Sequence, residues 1–440
     1  MKKQKNIRKK TFIPALIFFA GGMAVGNSIP DIVSSISNIV SADDAVYNGL
    51  IYNVSSKYNQ KTITIVGCTD DINTDEIVIP DQIDGIPVTA IGSSAFLGIK
   101  KIGTLTIGKN VDFISLGNEL SISRLNILGE KIGTVMYSAA DLKLKIHTVF
   151  LGENVDIGFK LITLHSNVDE YIVDEKNTKY CAIDGVLYSA DKTNLICYPD
   201  NKKIDVFTIP NEVCHISSNS FKNVKKINKI VFSSNISKIE KDAFESSDFS
   251  EMTFTSSLKD VHSNSFLNCN VDILNILVDV EYINDQFFRS SLHIKDFNVA
   301  EDNTFYSVKN HCLCSVDNKN LYKVGEMMNP VAVPEGIVEI FDYAIYGKYI
   351  SKIRIPESVT KINDNALRIG YDNIKIIEGF EGSYAEKYAT ENNIAFEVIT
   401  SDDIKPSFDS ENSIAKFDLN DDKKVNVMDL LAIKRFLLGV

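Results

Sequence analysis

VCHISSNSF (213–221), ISKIEKDAF (236–244) and LKDVHSNSF (258–266) are three versions of one phrase. The aliphatic residue falls at Ile216, Ile239 and Val261, and the aromatic follows five residues later at Phe221, Phe244 and Phe266. A fourth version, VEYINDQFF (280–288), carries the frame to Ile283 and Phe288, and IVEIFDYAI (337–345) and VTKINDNAL (359–367) renew it at Ile340 and Ile362. A fixed period of about 22 residues is the signature of a repeat architecture. One such unit cannot bury its apolar side alone, whereas a stack places equivalent side chains above one another in a continuous core.

Between the phrases lie short β-type runs: LTI at 105, VFL at 149, TIP at 208, IVF at 230, MTF at 252, FNV at 297, VAVP at 331 and IRIP at 353. Each ends in a turn or a proline, as short strands do. One strand per repeat predicts a mainly β, parallel β-solenoid, with the aromatic on a helical turn beneath the strand. Residues 116–165 keep the strands and lose the Phe frame. Two segments interrupt the period alike, 174–202 and 300–326, and read as paired hairpin insertions that project from the stack. Their tyrosines, Tyr188, Tyr198, Tyr306 and Tyr322, are either a stacking platform for a ligand or, by default, cross-strand packing.

The ends differ from the middle. Residues 1–10 carry Lys2, Lys3, Lys5, Arg8, Lys9 and Lys10, and an apolar run over 11–26 follows, the pattern of a bacterial export signal spanning 1–42. Val40, Ser41 and Ala42 offer a cleavage point, with an uncleaved anchor as the alternative. The chain carries a net charge of -12. Losing 1–42, with six cations and Asp31, removes a net +5 and leaves about -17, which disfavours nucleic acid and anionic membranes as partners. Seven scattered cysteines are too few and too irregular for a disulfide framework and read mostly as small buried hydrophobes.

IVIPDQIDGIPVTAIGSSAF (77–96), DGVLYSADKTNLICYP (184–199) and EGFEGSYAEKYATENNIAFEVI (378–399) together resemble the BspA-type leucine-rich repeat family over roughly residues 46–400. The resemblance implies a right-handed parallel solenoid from 77 to 400, with an N-terminal cap at 43–76 and a closing helix at 382–393, in a secreted or surface protein that binds rather than catalyses. Tyr384, Ala385, Tyr388 and Ala389 share one face of that helix.

A polar linker, 401–416, leads to a different module at 417–440. Counting Asp418 as position 1 of a calcium loop, Asn420, Asp422, Lys424 through its carbonyl, Asn426 and Asp429 fall at positions 3, 5, 7, 9 and 12, the alternation that turns hard oxygen ligands inward around Ca2+. The simpler reading is an acidic helix start without metal. Lys423 stands where an EF-hand has glycine, and Asp429 where it has glutamate. With LLAIKRFLLG (430–439) behind it, the tail resembles one repeat of a type I dockerin. That resemblance implies a cohesin partner in a cellulosome-type assembly, met through Val427, Met428, Lys434 and Arg435. A dockerin has two such repeats and one is present here, so either the chain continues past Val440, the leading expectation, or the single repeat works only in company.

His311, Cys312 and Cys314 lack the second cluster that a structural zinc site needs. No P-loop, G-x-G-x-x-G, H-E-x-x-H or G-x-S-x-G motif occurs in the sequence. A non-catalytic binding protein is the leading expectation, for a protein or glycan ligand. A surface adhesin is the alternative, and a polysaccharide-degrading enzyme the weaker one.

Overall fold

The computed structural model describes residues 45–57, 60–116, 119–130, 134–136, 144–156, 167–289, 293–326, 331–345, 351–367 and 374–400. The segments read above as an export signal (1–42), a linker (401–416) and a dockerin-like tail (417–440) lie outside them.

Each turn of the stack contributes a long strand to one row of sheets and a short strand to another. The long strands Ile204–Thr208, Ile227–Val231, Asp248–Phe254, Asn270–Ile276 and His293–Val299 form one parallel sheet. The same arrangement precedes it, in Glu76–Ile79, Lys101–Ile107, Ser121–Ile127, Lys145–Leu151 and Glu170–Val173. It returns in Val331–Ala332, Lys352–Arg354, Ile376–Gly379 and Ala395–Val398. The short strands His215–Ile216, Lys238–Ile239 and Asp260–Val261 pair in parallel, so Ile216, Ile239 and Val261 lie side by side as their spacing predicts.

Register turns the repeat into a core. Ile230, Met252, Leu274 and Phe297 are successive partners and are all buried. Beneath them Phe221, Phe244 and Phe266 form a ladder of near-parallel rings, with centroids 4.8 Å and 4.7 Å apart. Stacked and edge-to-face pairs add about 0.5–1.5 kcal/mol beyond area burial. The next ring is Phe287 rather than Phe288: Phe287 meets Phe266 edge-on at 4.7 Å. This repeat forms a short helix, Asp285–Arg289, in place of the usual turn, which shifts the inward position by one residue. Through the ordinary turns the backbone bonds from rung to rung, Phe221 N–H to Ala243 O and Phe244 N–H to Ser265 O, both at 2.7 Å. Asn223, Ser246 and Asn268, each two residues after the Phe, take the left-handed conformation that Asn tolerates best among residues other than glycine.

The interruptions do not project. Tyr180–Ile183, Val186–Ser189 and Asn194–Cys197 form an antiparallel meander whose last strand pairs in parallel with His215–Ile216. Tyr306–Lys309, Cys312–Ser315 and Asn320–Val324 do the same toward Glu339–Ile340. Ala45–Tyr47, Leu50–Lys57 and Gln60–Cys68 form a third meander, joined to Ile86–Ile91. The two internal meanders are partition walls buried on both faces. Leu187 belongs to the preceding core segment, while Val186 and Tyr188 belong to the following one. Leu313 faces the middle segment, and Cys312 and Cys314 face the last. Strand alternation sends neighbours to opposite faces, so a strand apolar at every position divides two cores. Tyr188, Tyr198 and Tyr306 are accordingly buried and Tyr322 half-buried.

Lys101–Ile107, Ser121–Ile127 and Lys145–Leu151 keep full register across the stretch without the Phe frame, filled by Leu105, Leu125 and Val149. At the far end Ser383 caps the helix Tyr384–Glu391, accepting the Glu386 N–H, and the helix buries Ala385, Tyr388 and Ala389.

Candidate binding surfaces

The calcium-loop residues Asp418, Asn420, Asp422, Lys424, Asn426 and Asp429, and the partner-face residues Val427, Met428, Lys434 and Arg435, all lie outside the described residues. Among the described residues no group of three or more His, Cys, Asp or Glu side chains is placed to hold a metal ion. His311 sits in the turn before the strand that carries Cys312 and Cys314, and its imidazole meets Asp296 at 2.9 Å. Burial pushes the thiols of Cys197, Cys269 and Cys314 up to about 12 and that of Cys68 up to about 11. Such thiols stay protonated at neutral pH, so they pack instead of acting as nucleophiles.

The outward face of the long-strand sheets is a set of polar ladders. Lys229 pairs with Glu251 at 3.0 Å and Lys295 with Asp272 at 2.5 Å, each across one rung. The Asn275 amide donates to Thr253 at 3.3 Å, and that of Asn298 donates to Asn275 at 3.1 Å. Near the C-terminal end Lys352 lies 2.6 Å from both Glu378 and Glu397, and Arg354 reaches Glu378 at 3.1 Å. Burial draws the Glu378 carboxyl upward, but hydrogen bonds from Lys352 and Arg354 outweigh it and hold it below the usual range. The parallel register sets these unlike charges on successive rungs, so they satisfy one another, and the same outward row also exposes Val206 and Ile273.

More distinctive are the two junctions where a long-strand sheet ends and an internal meander enters. Both are locked by a buried asparagine. Asn177 donates to Gly152 O at 2.8 Å and Val155 O at 3.1 Å, and accepts from the N–H groups of Lys179 and Tyr180 at 2.8 and 2.9 Å. Asn303 donates to Leu277 O at 2.8 Å and Val280 O at 3.0 Å, and accepts from Phe305 and Tyr306 at 2.9 and 2.8 Å. The clamps align the junctions residue by residue.

Around the first clamp lies a cavity of about 260 Å³ lined by Glu130, Glu153, Asn154, Asp156, Thr178 and Lys179. The Tyr180 hydroxyl donates to Asp156 at 3.1 Å. Around the second, the position of Glu153 is Val278 and that of Lys179 is Phe305. These are two of a set with Leu277, Tyr282 and Val316 that stands 41–56% exposed. Exposed apolar clusters of this kind mark contact sites.

A buried cation lies one strand away. Lys323 is fully buried, in register with Leu313 at the place where Cys197 faces Leu187 in the other meander. Its ammonium donates to Tyr343 O at 3.3 Å. Burial pushes it down to about 8, with Glu326 pulling the other way. Tyr343 has φ 61, an aromatic residue in the region where Asn219 and Asp242 stand in sister turns. Nothing in the sequence of this strand singles out Lys323, which follows Leu321 and Tyr322 like any alternating polar residue.

Residues 196–320 and 323–403 match the family model described as BspA type Leucine rich repeat region (6 copies). No curated protein matches. Among solved structures, the pneumococcal vaccine antigen PcpA aligns at 15% identity and a TM-score of 0.30, over 81% of this chain and 99% of that one. A leucine-rich repeat protein from Eubacterium ventriosum aligns at 17% and 0.33, over 73% and 93%. A leucine rich cell surface protein from Faecalibacterium prausnitzii aligns at 18% and 0.24, over 79% and 97%. No helix among the described residues is long and apolar enough to cross a membrane. Residues 196–320 and 323–403, somewhat under half of the chain, thus match BspA-type leucine-rich repeats, and residues 76–173 show the same parallel pairing of long strands.

Proposed function

We infer that this is an exported, non-catalytic binding protein: the solenoid presents an extended recognition surface for a protein or glycan, and the dockerin-like tail attaches it, with Ca2+, to a cohesin of a cellulosome-type assembly. The observation that carries the reading is the unbroken rung-to-rung register of the long-strand sheets. It builds a wide face of the kind solenoids use for macromolecular contacts, where catalysis calls for a closed, dry pocket. The export segment and the BspA-type repeats support a location outside the cell or on its surface. The tail reading rests on the oxygen-ligand spacing from Asp418 to Asp429 and the LLAIKRFLLG run behind it.

Calorimetric titration of the chain against a panel of cohesins, in Ca2+ and then in chelator, tests attachment. Binding that requires Ca2+ and disappears in Asp418→Ala is the expected result. Ca2+ uptake with no cohesin bound would overturn the attachment and leave a surface adhesin as the reading.

A further inference from the structure

The second meander junction carries an interaction surface that the fold does not require. Both junctions hold the same backbone through the same asparagine clamp, yet Gly152, Glu153, Lys179 and Ala190 at the first give way to Leu277, Val278, Phe305 and Val316 at the second. Leu277, Val278, Phe305, Val316 and the adjacent Tyr282 form one patch. The Asn303 side chain ties Leu277 O to Phe305 N–H, Val316 N–H donates to Phe305 O at 3.1 Å, and Ile283 N–H donates to the Tyr306 hydroxyl at 3.0 Å. Since the first junction keeps the geometry with small and charged residues there, the apolar set answers to something that covers it. Its rim is acidic: Asp279, Glu281, Glu301 and Asp302 are exposed and have no ion-pair partner among the described residues.

We propose that the occupant is the C-terminal segment 427–440 of this same chain. That segment is apolar around a cationic pair, with Leu430, Leu431, Ile433, Phe436, Leu437 and Leu438 flanking Lys434 and Arg435, the complement of an apolar patch with a carboxylate rim. It is also within reach. Three rungs, at about 4.8 Å each, separate the meander from the closing helix. The 401–416 linker spans up to about 53 Å when extended. Docking there covers residues that the dockerin-like reading assigns to cohesin, so the solenoid and a cohesin compete for the tail. The contact itself does not depend on Ca2+.

Hydrogen exchange on the full chain in chelator, read by mass spectrometry, tests this. Amides of 430–438 exchange at least roughly tenfold slower than free peptide, and Phe305→Lys, which alters an exposed side chain, removes that protection. Reciprocally, Phe436→Glu in the tail speeds exchange of 277–282 by a similar factor. Tail amides at the free-peptide rate would overturn the proposal. So would tail protection that Phe305→Lys leaves intact, or protection that rises with protein concentration alongside a dimer in sedimentation, which would assign the patch to a second copy. Calcium titration of the same sample reads the metal loop separately, so loss of either reading leaves the other measurable.

Discussion

The two internal meanders are built alike and finished differently. Each enters through a buried asparagine that satisfies two carbonyls and two N–H groups, and each partitions the core with a strand buried on both faces. Where the first has Cys197 the second has Lys323, and where the first turns on Asp184–Gly185 the second turns on Asn310–His311, all four at positive φ. The backbone solution is therefore held by a few polar contacts, leaving the positions around it free to differ. The lesson is that identity of architecture at the two junctions says nothing about identity of surface.

That view can be broken most directly at the clamps. Asn177→Ala and Asn303→Ala each leave several buried backbone groups without partners, at roughly 1–3 kcal/mol per group. Each is expected to lower stability by about 3–4 kcal/mol in denaturant unfolding; a large loss at one and none at the other would show that the junctions are not equivalent. Next is Lys323. Its folded value near 8 lies below the unfolded 10.5, so the unfolded chain binds more protons between those values and stability rises with pH across that window. The gain is on the order of 3 kcal/mol. Lys323→Met is expected to abolish that rise and to be the more stable protein at pH 7, with wild-type Cys197 as its natural counterpart.

A smaller effect belongs to the turns. Gly185 has φ 75, and a Cβ there would meet the Glu170 Cβ at 2.9 Å. Gly185→Ala is expected to cost about 1–2 kcal/mol, read as a lower unfolding midpoint, whereas the second meander already accommodates His311 at the matching place. Smallest is the Lys352, Arg354 and Glu378 cluster. Glu378 is held below its ordinary value, so its contribution is present at neutral pH and lost as pH falls below about 4.5 through the folded value. Glu378→Gln is expected to remove well under 1 kcal/mol, given the exposure of its partners, seen as a slightly shallower acid-unfolding curve.

Much of the stack is legible in the residues. Ile216, Ile239 and Val261 stand in register because a 22-residue spacing of aliphatics has no other way to be buried, and the Phe221, Phe244 and Phe266 ladder follows from the same argument. The closing helix was readable from its four-residue face. The assignment of Phe288 to the ladder failed because the helix at 285–289 rotates the frame by one residue, a local choice that spacing alone does not reveal. The projecting hairpins became partition walls because apolar residues at every strand position can face two cores, and one sequence does not say whether a second core is there.

The sequence by itself determined the period and the position of the core, since these depend on which side chains must leave water, while the second, short strand of each rung, where one strand per repeat is expected, came from the structure. Only the tertiary structure decided where the meanders sit, that Lys323 is buried, and that one junction is polar and the other apolar on the same backbone. Those outcomes depend on how neighbouring rungs meet, as Lys323 meets Tyr343 and Asn303 meets Leu277, 20 and 26 residues apart, and such contacts are set by packing between rungs and not by the pattern within one repeat.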